Sequence, residues 1–382
     1  MKQTLELYIH IPFCVRKCKY CDFLSAPQDE ETRERYVAAL IREISAHRDK
    51  GGSYEVSTVF FGGGTPSVLS AVQVRRIFEA LRDSFEIGPD AEISIEVNPG
   101  TVTEEKLRAY RDCGINRISF GLQSADNEEL RLLGRIHTYE EFEENFRLAR
   151  EHGFDNINVD LMSAIPKQTL ESLERTLSKV ISLGPEHISA YSLIVEEGTP
   201  FFTLYGESGS LESELPGEED ERQMYYRTKE ILSEAGYHRY EISNYAKPGK
   251  ECRHNLGYWE RTEYLGLGLG SSSLIDGVRF RNTEELEFYL NNSGSPKRIQ
   301  MEQVELSAQE QMEEFMFLGL RKMEGISTED FKTYFHQDIE KVYGRQIEKL
   351  VRDGLLLRQG DRMCLSKQGI DVSNYVFAEF LE

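Results

Sequence analysis

No run of about 18 apolar residues occurs in this 382-residue chain, so nothing in it reads as a transmembrane helix. No basic n-region with an apolar h-region precedes the first strand-like segment, and no signal peptide is expected. Positive charge is scarce: 45 Lys and Arg stand against 66 Asp and Glu, a formal net charge of −21. That balance argues against nucleic acid, whose phosphates attract basic surfaces, and equally against docking onto anionic lipid. No G-x-G-x-x-G follows the first strand, which argues against a dinucleotide-binding sheet. Tryptophan occurs once, at Trp259, and cysteine six times.

Three of the cysteines are packed into one short stretch. Cys14, Cys18 and Cys21 follow the apolar run Tyr8-Ile9-His10-Ile11-Pro12-Phe13 in the spacing C-x3-C-x2-C. A strand sends alternate side chains to opposite faces, so three thiols that meet must lie on the loop after it. Converging thiolates hold a soft metal, either zinc or an iron–sulfur cluster. A disulfide would leave one cysteine over, and clustered thiols suit a reducing compartment; a cytoplasmic location is expected. Structural zinc needs a fourth ligand, which His10, Asp22 or a distant residue would have to supply. A four-iron cluster on three thiolates instead keeps one iron open to a small molecule bearing amino and carboxylate groups.

From residue 6 to about 240, short β-rich runs alternate with helical stretches. The strands are expected at Leu5–Ile11, Ser57–Phe61, Ile93–Val97, Arg117–Gly121, Asn156–Leu161 and His187–Leu193. Helices are expected at Thr32–Ala46, Val72–Phe85, Glu104–Cys113, Tyr139–Glu151, Leu170–Ile181 and Glu219–Ala235. Repeated βα units mean a parallel sheet with right-handed crossovers. Six of them predict an α/β fold, a partial (β/α)6 barrel. Chemistry in a barrel collects where the strands end. Those ends carry the cysteines, then Gly62-Gly63-Gly64-Thr65-Pro66, Glu96 with Asn98, Gln123-Ser124 with Arg135 beyond, Asp160, and Tyr191. Three glycines in a row exceed the needs of a turn and would let a ligand approach bare backbone. Glu96 or Asp160 alone reads as a loop carboxylate or helix cap; together, beside the cysteines, they read as a pocket. Arg16, Lys17 and Lys19 would favour thiolates and ease reduction of an anionic cluster, or are plain solvated cations.

Gly206–Asp220 is an acidic surface loop. Asn291–Lys297 is linker-like and marks an expected domain boundary. The alternating glycines of Gly266–Gly270 have the wrong spacing for a nucleotide loop and predict close passage of the chain past the barrel. Cys252–Trp259 holds His254, Asn255, Tyr258 and Trp259 close together. These are either core packing with a satisfied imidazole or a macrocycle site, with an iron-ligating imidazole, aromatic walls, and Arg253 or Arg261 for propionates. Cys252, Cys113 and Cys364 read as buried free thiols. The chain divides into 1–240, a barrel-capping 241–296, and 297–382, whose three helices and β-turn predict a winged-helix-like domain.

C-x3-C-x2-C on the first loop of such a chain resembles the radical S-adenosylmethionine (SAM) superfamily. The arrival sequence Tyr-x-His-Ile-Pro-Phe-Cys is similar to that of oxygen-independent coproporphyrinogen III oxidases and their HemW-type relatives. The resemblance covers essentially the whole chain. It implies a [4Fe-4S] cluster on Cys14, Cys18 and Cys21, and SAM contacts at Tyr8, Gly63, Gly64, Thr65, Glu96, Gln123, Arg135 and Asp160. His254, Asn255, Tyr258 and Trp259 match a His-Asn-x-x-Tyr-Trp motif associated with haem in HemW-type proteins. That branch implies haem transfer to apo-haemoproteins, membrane respiratory complexes among them, and is compatible with a homodimer. The rival activity is oxidative decarboxylation of coproporphyrinogen III. Those dehydrogenases resemble C-x3-C-x2-C-x-C and carry an N-terminal segment ahead of the first strand. Here Phe23 stands at the extra cysteine, and Tyr8 follows only seven residues. Relatives often have Ala-His-Ser where this chain has Ser271-Ser272-Ser273.

Overall fold

The computed structural model describes residues 2–381. Strands β1 (Gln3–Ile11), β2 (Tyr54–Gly63), β3 (Glu86–Val97), β4 (Arg117–Gln123), β5 (Ile157–Ser163) and β6 (His187–Ser192) lie side by side in chain order and all parallel. Helices including Glu30–Ala46, Ala71–Ser84 and Leu170–Leu183 return the chain between them. The helix starts are written locally: Asp29, Ser70, Thr103, Thr138 and Thr169 each accept a hydrogen bond from a first-turn backbone N–H.

Period-two alternation decides what the strands show to each side. Leu7, Ile9 and Ile11, Ile93, Ile95 and Val97, and Ile157, Val159 and Leu161 are all buried in the main hydrophobic core. The alternate positions are polar and line the concave face: Glu6, Tyr8 and His10 on β1, Glu92, Ser94 and Glu96 on β3, Asn158 and Asp160 on β5. Burying so many polar groups is costly unless each finds a hydrogen-bond partner, and Glu6 Oε2 and Ser94 Oγ on this face have none.

The expected partial barrel is present, and its sheet is open rather than closed. It runs to 12 strands, because residues after 235 extend both edges. On one side β8 (Asn244–Ala246) pairs antiparallel with β6 and carries β7 (His238–Arg239). On the other, β9 (Tyr264–Leu267) pairs parallel with β1 and is followed by β10 (Ser272–Ile275), β11 (Val278–Asn282) and β12 (Gln300–Glu305). The segment 241–296 thus joins the sheet as well as covering it, and the sheet continues past 291–297. The glycine-rich stretch passes close, as expected: a Cβ at Gly266 would sit 2.2 Å from the Ser272 carbonyl oxygen, and one at Gly268 2.5 Å from the Tyr36 hydroxyl.

From Ser307 the chain forms a second hydrophobic cluster, with Met316, Phe331, Ile347 and Leu350 at its centre. Helices Ala308–Gly319, Thr328–Phe335 and Ile339–Arg352 pack on a three-stranded sheet of β13 (Ile326–Ser327), β14 (Leu356–Gln359) and β15 (Arg362–Leu365). This is the winged-helix-like arrangement. It is tied to the barrel by Met323 N–H to the Tyr240 carbonyl at 2.9 Å and by Lys322 to Glu260 at 3.0 Å.

Candidate functional site

All three clustered cysteines sit on the loop after β1, partly exposed, with free thiols. The loop is held from outside: Lys19 donates its N–H to the Leu133 carbonyl at 3.1 Å and accepts from Phe201 N–H at 3.0 Å. Tyr20 meets the Phe201 ring edge-on. Neither Leu133 nor Phe201 stands out in the sequence; both belong to a small apolar cluster beneath the loop. Among the described residues no three His, Cys, Asp or Glu side chains converge on a single ion position. The thiols instead stand around one cavity of about 130 Å³, together with Gly63, Gly64, Thr65, Glu96, Gln123, Arg135 and Asp160. Of the eight positions expected to contact SAM, only Tyr8 lies outside it. Tyr8 lines an adjoining cavity of about 530 Å³ that shares Phe23, Gly63 and Glu96 with the first.

A chain of hydrogen bonds runs behind the thiols. Thr65 Oγ1 accepts from Asn98 Nδ2 at 2.8 Å, and Asn98 Oδ1 accepts from Arg135 Nη2 at 2.7 Å. Arg135 also donates to the Gly121 carbonyl, and its Nη1 stands 3.5 Å from Cys18 Sγ. Its buried Nε has no partner. Gln123 is aimed into the cavity by a β-bulge against β5, with φ of 75°. Burial, helped by the neighbouring Asp160 charge, pushes the Glu96 carboxyl up to about 8; Gly63 N–H, 3.2 Å away, pulls the other way. Burial also raises Asp160, against hydrogen bonds from Asn158 and Ser189. Burial holds both carboxyls toward their neutral forms, and a cationic ligand such as an ammonium or sulfonium beside them would favour the charged ones.

The glycines have a second role besides lining the cavity. Gly63 has φ of 112°, and a Cβ there would lie 2.6 Å from the His10 ring; at Gly64 it would lie 2.5 Å from the Phe13 carbonyl. Their missing side chains admit the end of β1, while both residues also line the cavity. His10, a possible metal ligand by position, is committed elsewhere: Nδ1 to the Tyr8 hydroxyl at 3.1 Å and Nε2 to the Leu24 carbonyl at 3.1 Å.

Of the four motif residues on the helix Arg253–Trp259, His254, Asn255 and Tyr258 line one inner cavity, and Trp259 stands apart from it. His254 is buried inside the barrel, with Nδ1 2.6 Å from Thr58 Oγ1 and Nε2 3.0 Å from the Tyr258 hydroxyl, its ring stacked on Phe60. Burial depresses it to about 3, so it is neutral. The axial-ligand role expected of it is not offered by this geometry, because both ring nitrogens are taken. Asn255 and Tyr258 line with it an inner cavity of about 210 Å³. Tyr258 also faces the large cavity, which Trp259, Tyr264, Leu274 and Leu318 wall with it. Of the two candidate propionate arginines, Arg261 lines that cavity, while Arg253 donates to the Asp90 carbonyl at the surface.

Cysteines on the first loop of an open parallel barrel, with a polar cavity at the strand ends, define a radical SAM core. Residues 8–180 match the Radical SAM superfamily, and residues 306–372 match the HemN C-terminal domain. The chain is 37% identical to the heme chaperone HemW of Lactococcus lactis, over 100% of this chain and 98% of that protein. It is 35% identical to the Escherichia coli heme chaperone HemW, over 99% and 98%. Coproporphyrinogen III oxidase (HemN) from Escherichia coli, a radical SAM enzyme, superposes with a TM-score of 0.87 at 25% identity, over 99% of this chain and 90% of that one. The chain belongs to the HemW family of the radical SAM superfamily. Membership of that superfamily implies a [4Fe-4S] cluster and SAM. The free thiols, the partnerless Arg135 Nε and the paired carboxyls fit those groups.

Proposed function

We propose that this chain is a haem chaperone. It binds a [4Fe-4S] cluster through Cys14, Cys18 and Cys21, SAM beside it, and haem in the large cavity, and passes haem to apo-haemoproteins such as respiratory enzymes, in the cytoplasm. The observation that carries the reading is the cavity of about 530 Å³ opening from the SAM site, with Tyr258, Trp259, Tyr264, Leu274 and Leu318 in its wall. Flat aromatic and aliphatic walls suit a macrocycle face, and a site of that volume is ordinary for a cofactor-sized ligand. The cluster, when bound, supplies an open iron and an electron for SAM. Within the chain, Arg135 stands where a ligand carboxylate would meet a guanidinium, and Glu96 and Asp160 balance positive charge. Gly63 and Gly64 keep the loop tight against β1. Phe23, exposed beside both cavities, separates the two ligands.

The test is an anaerobic assay on reconstituted protein with SAM and reductant, offered haem or coproporphyrinogen III. A haem complex that an apo-haemoprotein competes away, with no carbon dioxide from coproporphyrinogen, is the expected result. Decarboxylation to protoporphyrinogen would overturn the chaperone in favour of a dehydrogenase.

A further inference from the structure

The large cavity is walled mainly by apolar and aromatic groups, and two of its cations stand close together, Arg261 and Arg279. Both already hold a carboxylate. Glu314, from the helix Ala308–Gly319 of the C-terminal domain, accepts from Arg261 Nε at 3.2 Å and pairs with Arg279 Nη1 at 2.6 Å. The Arg261 and Glu314 side chains are each 6% exposed, whereas Arg279 is 41% exposed. Leu318, one turn beyond Glu314 on the same helix, itself walls the cavity. Arg261 adopts φ of 58°, a left-handed backbone that a non-glycine residue keeps only where its surroundings hold it. Glu314 is shared by two guanidiniums, and Glu310 on the same helix also feels the Arg279 charge, in a chain whose net charge is −21.

We infer that Arg261 and Arg279 are the carboxylate-binding end of this cavity, and that Glu314 is an internal stand-in with which a ligand carboxylate competes. The inference rests on the reading of the cavity as a haem site, since haem carries two propionates. Arg279 is the arginine a propionate reaches first, being the more exposed and bonded to Glu314 through one nitrogen. Guanidinium–carboxylate pairs are among the strongest hydrogen-bonded contacts and recognise the planar fork of the acid. Glu314 belongs to one domain and the arginines to the other. Filling the site therefore exchanges a contact between domains for a contact with the ligand, and the C-terminal domain registers that the cavity is loaded.

The experiment compares iron protoporphyrin IX with its dimethyl ester, which keeps the macrocycle and removes both carboxylates. Wild-type protein is expected to bind the acid more tightly than the ester. Arg279→Leu should weaken the acid about tenfold and leave the ester unchanged, and Glu314→Gln should tighten the acid alone. Amide exchange in 308–319 should rise on binding the acid and not the ester. Should Glu314→Gln fail to fold, as circular dichroism would reveal, Arg279→Leu at its part-exposed position decides alone. Equal effects on acid and ester overturn the carboxylate site while leaving haem binding intact. Failure of wild-type protein to bind either porphyrin overturns the haem reading, and this inference with it.

Discussion

Arg135 reaches Cys18. Its Nη1 lies 3.5 Å from the thiol sulfur, while Nη2 is held by Asn98 Oδ1 at 2.7 Å. One guanidinium thus ties the cysteine loop after β1 to the end of β3, which Asn98 continues. The flat fork has enough donors for both ties, whereas an ammonium is a single point charge on a flexible stem.

Replacing Arg135 with Gln should therefore lower SAM affinity by about tenfold or more. The carbonyl and amide oxygens left behind should cost about 2 kcal/mol of stability. Equilibrium binding of SAM to reconstituted protein, with a denaturant titration beside it, measures both. SAM affinity equal to wild type would remove Arg135 from the site.

Cys14→Ala, Cys18→Ala and Cys21→Ala should each abolish the visible cluster absorbance and most of the bound iron after anaerobic reconstitution. Cys364→Ala, on β15 of the C-terminal domain, should leave both unchanged. Iron analysis and absorbance spectra check this pair of outcomes together.

Gly63→Ala asks for a Cβ in a left-handed conformation 2.6 Å from the His10 ring. Strain of this kind costs roughly 1–3 kcal/mol. Moving the ring breaks its links to Tyr8 and to the Leu24 carbonyl. A destabilised protein with weakened SAM binding is expected, measurable by thermal unfolding with and without SAM.

Two buried groups should give opposite pH signatures. Glu43 accepts from Gly268 N–H, Asn282 and Tyr289, yet burial lifts it to about 7. The folded state then holds a proton that the unfolded chain releases near pH 4.5, so this contribution to stability falls as pH rises from 4.5 through 7. It amounts to about 3 kcal/mol at most. His254, depressed to about 3, works the other way: the unfolded chain takes the proton first, so stability is lost as pH falls below 6.5 towards 3. Glu43→Gln can keep an oxygen on Gly268 N–H and Tyr289 but sets its NH2 against the Asn282 Nδ2 donor, and should be less stable than wild type throughout, with a gap that narrows as pH rises. Denaturant titrations of wild type, Glu43→Gln and His254→Gln at several pH values separate the two. On the present geometry His254→Gln should also leave the Soret position of the haem complex unchanged.

The cysteine loop, the six βα units and the strand-end residues were legible because each depends on local rules. Three cysteines in eight residues force a loop, period two fixes which strand residues share a face, and a parallel barrel gathers its strand ends. Hence Gly63, Gly64, Thr65, Glu96, Gln123, Arg135 and Asp160 were found from one dimension and meet the cysteines around one cavity. The polar concave face is written in the sequence too, in the alternation of Glu92, Ser94 and Glu96 with Ile93, Ile95 and Val97.

Tertiary structure alone decided the rest. The helix Arg253–Trp259 carries a motif of which His254, Asn255 and Tyr258 share an inner cavity while Trp259 faces the large one, and which side enters the barrel depends on packing against Thr58 and Phe60, far away in sequence. Strands β7–β12 are short runs added outward from β1, through β9, and from β6, through β8, so pairing and not propensity made them strands. Glu314 meets Arg261 across 53 positions, and no spacing rule links them. Local chemistry is written in neighbouring residues, whereas a contact between a barrel and a second domain exists only once both have folded.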